Sequence, residues 1–174
     1  MNIVERGNPK MKKIIMIFAV VIMAVSLMTA CQSTDSVPKL KYSTQYPATA
    51  QEYNQLINQK IVPFLNVCEG HASKGRDIIA GKYPVKEELT SVEDTIKYIN
   101  EIYDSCKVIY PPDTEKQRHS DTLMQMKRVI NAIEVYQDKL KDYEVDRDGD
   151  KFGKAIDILA SEFTSLKNMF NLVA

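Results

Sequence analysis

Between residues 49 and 174 the apolar side chains return every three or four positions in four successive stretches, and that spacing leaves little choice of fold. Tyr53, Ile57, Ile61, Phe64, Cys68, His71 and Ile78 mark one stripe, and Val92, Ile96, Ile99, Tyr103, Cys106 and Tyr110 a second. His119, Leu123, Met126, Ile130, Ile133 and Leu140 form a third, and Phe152, Ile156, Leu159, Phe163, Leu166, Phe170 and Val173 a fourth. Residues so spaced share one face of an α-helix, whereas a half-buried strand needs strict alternation, which no segment shows convincingly. Each amphipathic helix must then cover its stripe with its neighbours.

Local signals divide the stripes into helices. Thr49-Ala50-Gln51-Glu52 has the spacing of a capping box and predicts a helix from there to about Gly81, with Pro63 expected to kink or divide it. A second box, Thr90-Ser91-Val92-Glu93, predicts the next start and leaves residues 82–90 as a loop; Pro111-Pro112 ends this helix. Asp113 is placed to cap the third helix, which runs to about Tyr143, and Asp146-Arg147-Asp148-Gly149-Asp150 reads as the turn into the fourth. Short connections between long helices predict an all-α, antiparallel up-down four-helix bundle over residues 49–174. About 125 residues suffice for a core that needs no external staple.

Residues 1–30 have a different character. Arg6, Lys10, Lys12 and Lys13 are opposed only by Glu5, a net of +3, and Ile14 to Ala30 carries no charge. A basic stretch before an apolar one is the layout of an export signal. The run closes on Leu27-Met28-Thr29-Ala30-Cys31, which resembles the lipobox of bacterial lipoproteins. That resemblance implies cleavage after Ala30, a diacylglyceryl group on the Cys31 thiol, and attachment to the lipid bilayer at the extracytoplasmic face of the cell membrane. Read without it, the same run is long enough for an uncleaved anchor, since roughly 17–25 apolar residues cross a bilayer as a helix. Residues 31–48 are rich in Ser, Thr, Gln and Pro and predict a flexible tether. The whole chain balances 23 basic against 23 acidic residues, because the basic signal offsets a mildly acidic remainder. That balance gives no reason to expect a nucleic-acid partner.

Cys68, His71, Cys106 and His119 all fall on apolar stripes, and three arrangements compete for them. A Cys68–Cys106 disulfide suits an oxidising exterior, with Cys31 taken by lipid. Two free buried thiols with core-packed histidines are the second arrangement, and a structural zinc site built from all four side chains is the third. Register decides between them. If residues 82–90 form a loop, the two cysteines stand at similar heights, within about 3 Å; if the second helix begins at Pro84, they are separated by about 12 Å. A bridge requires Cα atoms within about 7 Å.

The acidic turn at Asp146–Asp150 invites a calcium reading. Counted from Glu144, however, Ala155 stands where an EF-hand needs its bidentate Glu, so an ordinary interhelical turn is expected. No catalytic motif is present: there is no HExxH, no GxSxG and no phosphate-binding glycine loop, and the carboxylates read as solvated helix exteriors. Tyr42, Tyr46 and Tyr53 gather near the tether, and Tyr98, Tyr103 and Tyr110 lie on the second helix, where amphipathic rings suit either the ends of the core or a binding surface. Pro111-Pro112, followed by His119 and Leu123, is similar to a helix-start pattern of uncharacterised helical lipoproteins of Gram-positive bacteria. These readings converge on a lipid-anchored, non-enzymatic binding or interaction module of the cell envelope, with a protein partner there and no cofactor. The alternative is a metal- or small-ligand-handling protein that uses the Cys/His cluster.

Overall fold

The computed structural model describes residues 42–171; the basic and apolar segment, Cys31 and the tether as far as Lys41 lie outside them. Five α-helices follow one another: α1 (Ala50–Cys68), α2 (His71–Ile79), α3 (Val85–Lys107), α4 (Lys116–Asp146) and α5 (Gly149–Met169). A 3-10 turn, Asp113–Glu115, leads into α4. α1 and α2 together take the place of one bundle member. α3 packs against α1 and α4, α4 against α5, and α2 closes the ring on α5, giving the all-α four-helix bundle that the stripes predict. Among the described residues there is no strand, only an isolated parallel bridge between Gln45 and Ile109.

The core is built mainly from the predicted stripes, although Ile96, Tyr103, Leu123, Phe163 and Phe170 are only half-buried, Tyr110 is exposed, and Val173 lies outside the described residues. Tyr53, Ile57, Ile61 and Phe64 of α1 meet Val92, Ile99 and Cys106 of α3, Met126, Ile130, Ile133 and Leu140 of α4, and Phe152, Ile156, Leu159 and Leu166 of α5, all of them buried. At about 1.5–3 kcal/mol for each fully buried large apolar side chain, this shared interior is the main source of stability. One contact is closer than a side chain permits. A Cβ on Gly75 of α2 would stand 2.8 Å from Ile156 Cγ1 and 2.9 Å from Tyr136 Cε2, so glycine lets this short helix lie directly on α4 and α5.

The helix boundaries correct several expectations. The Thr49 hydroxyl accepts from the Glu52 N–H at 3.2 Å, as a capping box requires, while the Glu52 carboxylate accepts from Ala48 N–H at 2.7 Å, one residue earlier than usual. α1 passes through Pro63 and ends only at Cys68. Pro63 frees the carbonyl of Gln59, and Gln59 is exposed, so water can satisfy it. The break comes instead at Gly70, whose φ of +92° lies in the left-handed region that a residue without Cβ adopts freely.

α3 starts at Val85, five residues before the predicted box, and Thr90 lies inside the helix with its hydroxyl donating to the Lys86 carbonyl at 3.2 Å. Pro84 immediately precedes the helix, where a missing N–H goes unnoticed, and Glu87 and Glu88 occupy the first turn, where the helix dipole favours carboxylates. These two influences outweigh the Thr90 box. Asp113 opens the 3-10 turn and pairs with Lys116 at 2.7 Å, without capping α4. At the fourth boundary the Asp148 carboxylate accepts from Lys151 N–H at 3.1 Å and starts α5 just after Arg147, whose φ is +57°.

The expected tether also ends sooner than predicted. Gln45 N–H donates to the Val108 carbonyl at 3.0 Å, and Tyr110 N–H donates to the Gln45 carbonyl at 2.9 Å, so residues before α1 are already tied to the segment that follows α3.

Candidate functional site

Among the described residues, buried ionisable groups gather around Glu88 and His71. His71 is the first residue of α2 and Glu88 lies in the first turn of α3, so the break at Gly70 sets the histidine facing the carboxylate. His71 Nδ1 stands 2.6 Å from Glu88 Oε1, and Nε2 stands 3.0 Å from the Thr95 hydroxyl, about two turns further along α3. Tyr136 of α4 completes the group. Its hydroxyl has a single proton and two acceptors within reach, the His71 carbonyl at 3.0 Å and Glu88 Oε1 at 3.1 Å. Burial, and secondarily the adjacent Glu88 carboxylate, hold the Tyr136 hydroxyl well above the usual phenol range, so it remains a donor.

The second carboxylate oxygen, Glu88 Oε2, makes no hydrogen bond. Its neighbour is the Lys74 ammonium at 3.5 Å, which also lies 5.7 Å from the centre of the Tyr83 ring. Lys74 is the only member of the set with substantial exposure, whereas Glu88 is 0% and His71 2% exposed. An acid/base pair is therefore present, but sealed. Its physical effect is to fix α2, α3 and α4 in one register, because sliding any of them would leave a buried polar group without its partner.

The four Cys and His side chains do not assemble. His71 belongs to the Glu88 group, while the Tyr53 hydroxyl lies 3.3 Å from His119 Nδ1 with the two rings edge to face. Cys68 and Cys106 are free, buried thiols. His71, three residues past Cys68, meets Glu88 near the start of α3, whereas Cys106 stands one residue from the end of that helix, close to the Val108–Gln45 hydrogen bond. The early start of α3 produces this offset and corrects both the expected disulfide and the zinc cluster. Burial raises each thiol to about 12, which leaves almost no thiolate at neutral pH. Among the described residues no group of three or more His, Cys, Asp or Glu is placed to hold a metal ion.

The acidic turn is equally committed to its own structure. Lys151 Nζ stands 2.9 Å from Asp148 and 3.9 Å from Asp146, occupying with its ammonium the space between the carboxylates. Hydrogen bonds from Lys151 hold the Asp148 carboxyl below its ordinary range.

Shallow grooves lie on the surface of the described residues. One, of about 230 Å³, lies between α1 and α3 and includes Tyr42, Lys60, Pro63, Tyr98 and Ile102; another, of about 250 Å³, lies between α4 and α5 and includes Arg128, Val135, Ile158 and Glu162. Both fall short of the ~300–1,000 Å³ typical of small-molecule sites. At the end of the bundle where α1 begins and α3 ends, Tyr46 and Tyr110 stack with ring centres 5.3 Å apart and planes 21° apart.

Glu88, Thr95 and Tyr136 of the central group escaped the sequence reading. Glu88 continues the α3 stripe backwards, in steps of four, three and four to Val92, Thr95 and Ile99, and Tyr136 sits between Ile133 and Leu140 on that of α4. The periodicity contained all three. In comparisons with known proteins, the chain matches no protein family, no curated sequence and no solved structure. Among the described residues no helix is long and apolar enough to cross a membrane.

Proposed function

We propose that the chain is a bacterial lipoprotein whose helical domain, held outside the cytoplasmic membrane by lipid on Cys31, acts by binding and not by catalysis. The observation that carries the anchoring is Leu27-Met28-Thr29-Ala30-Cys31 at the end of an uncharged run with a basic stretch before it. Two acyl chains, at ~0.8 kcal/mol per buried CH2, would give a stable attachment. The sealing of His71 and Glu88 supports a non-catalytic role, since a general acid or base must come within hydrogen-bond reach of a substrate. The placement of His71 against Glu88 and of His119 against Tyr53 favours this reading over the metal-handling alternative.

Mass analysis of the protein from bacterial membranes tests the anchor directly. The expected N-terminal peptide begins at Cys31 and carries a diacylglyceryl group, and Cys31→Ala abolishes both processing and lipid labelling. An unmodified Cys31 within an uncleaved chain overturns the reading.

A further inference from the structure

We propose that the stacked Tyr46–Tyr110 pair is a second point of membrane contact, a preformed aromatic surface that rests in the headgroup layer of the bilayer; the inference depends on the Cys31 anchor proposed above. Tyr46 is 74% exposed and Tyr110 59% exposed, although each is stacked on the other. Each also precedes a proline, in Tyr46-Pro47 and Tyr110-Pro111, and the residue before proline is steered to extended backbone. The two extended segments are then joined by the Gln45–Ile109 bridge and its two backbone hydrogen bonds. The stack is thus fixed by backbone geometry that no core contact of the rings requires.

Tyrosine suits the boundary between headgroups and acyl chains, where the ring meets apolar groups and the hydroxyl stays wet. The charges that flank Tyr110 in sequence compensate one another locally, since Lys107 pairs with Asp104 at 3.2 Å and Lys116 with Asp113 at 2.7 Å. Chain length selects the bilayer as the occupant. Tyr42 follows Cys31 by eleven residues, and Gln45 by fourteen. If the segment is the flexible tether its composition predicts, eleven residues have an r.m.s. span of about 17–20 Å, against a length of about 46 Å for the 31 residues of α4. A chain tied to lipid at Cys31 therefore brings the Tyr46–Tyr110 end to the surface far more readily than the turn at Arg147.

The chain contains no Trp, so a single introduced one reports alone. Full-length protein carrying Tyr110→Trp, and separately Val145→Trp near the opposite end, is placed in vesicles of phosphatidylethanolamine and phosphatidylglycerol whose acyl chains are brominated near the headgroup. Val145 is 86% exposed, so both sites tolerate the change. The expected result is blue-shifted emission and several-fold stronger bromine quenching at position 110 than at 145. Equal, weak quenching at both positions in protein that remains vesicle-bound overturns the contact while leaving the anchor intact. A blue shift at 110 without quenching also overturns it and points to a protein or a second copy covering the pair. Protein that leaves the vesicles as freely as Cys31→Ala does overturns the anchor, and the contact with it.

Discussion

Glu88 and His71 sit 2.6 Å apart, oxygen to nitrogen, on helices whose starts are brought together by the break at Gly70 and the proline at position 84. Neither side chain meets solvent, so each depends on the other, on Tyr136 and on Thr95 for what water would otherwise supply.

This dependence is measurable. Glu88→Ala or His71→Ala alone should cost about 3–5 kcal/mol, because either leaves a polar partner stranded, whereas replacing both with leucine should cost much less than the sum. Tyr136→Phe, which removes one shared donor, should cost about 1–2 kcal/mol. Urea unfolding followed by circular dichroism provides all four values. Additive losses would show that the pair is not coupled.

Gly75→Ala opposes two effects. Alanine favours the helix by about 1 kcal/mol, but its methyl must enter a space already held by Ile156 and Tyr136, and overpacking costs about 1–3 kcal/mol. Net destabilisation is expected, with partial rescue by Ile156→Val, which removes one of the two Ile156 carbons in the way. An unimpaired thermal midpoint for Gly75→Ala would mean that α2 moves aside freely.

The helix starts make separable predictions. Thr49→Ala removes the acceptor for the Glu52 N–H and should cost about 1 kcal/mol. Thr90→Ala, inside α3, should change stability by no more than about 0.5 kcal/mol. A larger loss at position 90 than at 49 would restore the later start of α3.

Burial lowers the His119 pKa from its ordinary 6.5. The unfolded chain therefore takes up a proton near that pH, which the folded chain refuses. The stability linked to this group is complete above about pH 6.5 and falls as the pH drops toward the folded value. His119→Gln should flatten the decline in unfolding midpoint between about pH 7 and 5. An unchanged slope would place the acid sensitivity elsewhere.

The thiols offer a further check on register. With both raised to about 12 by burial, Cys68 and Cys106 should resist alkylation in the folded protein and react once it is unfolded in urea, with no reductant needed. Recovery of a linked Cys68–Cys106 peptide from native protein would contradict the offset between α1 and α3.

The stripes made the four-member bundle and most of its core legible, because a three-four repeat admits one face per helix whatever its ends do. Boundaries were less legible where two local signals competed. Pro84 with two following glutamates, and Thr90 with Glu93, are both recognisable starts, and the burial of Glu88 against His71 adds to the local influences that favour the first. That same competition moved the cysteines apart, since five residues of added helix shift every level along α3. Glu88 itself was hidden by its type, as a glutamate in a first turn ordinarily faces water.

The Gln45–Ile109 bridge has a mechanical consequence. Tension on the chain ahead of the domain reaches the backbone hydrogen bonds of Gln45 and the Tyr46–Tyr110 stack before it reaches the first turn of α1. Drag on the domain is thereby passed to the junction between α3 and α4, and the Thr49 cap of α1 is shielded from unwinding.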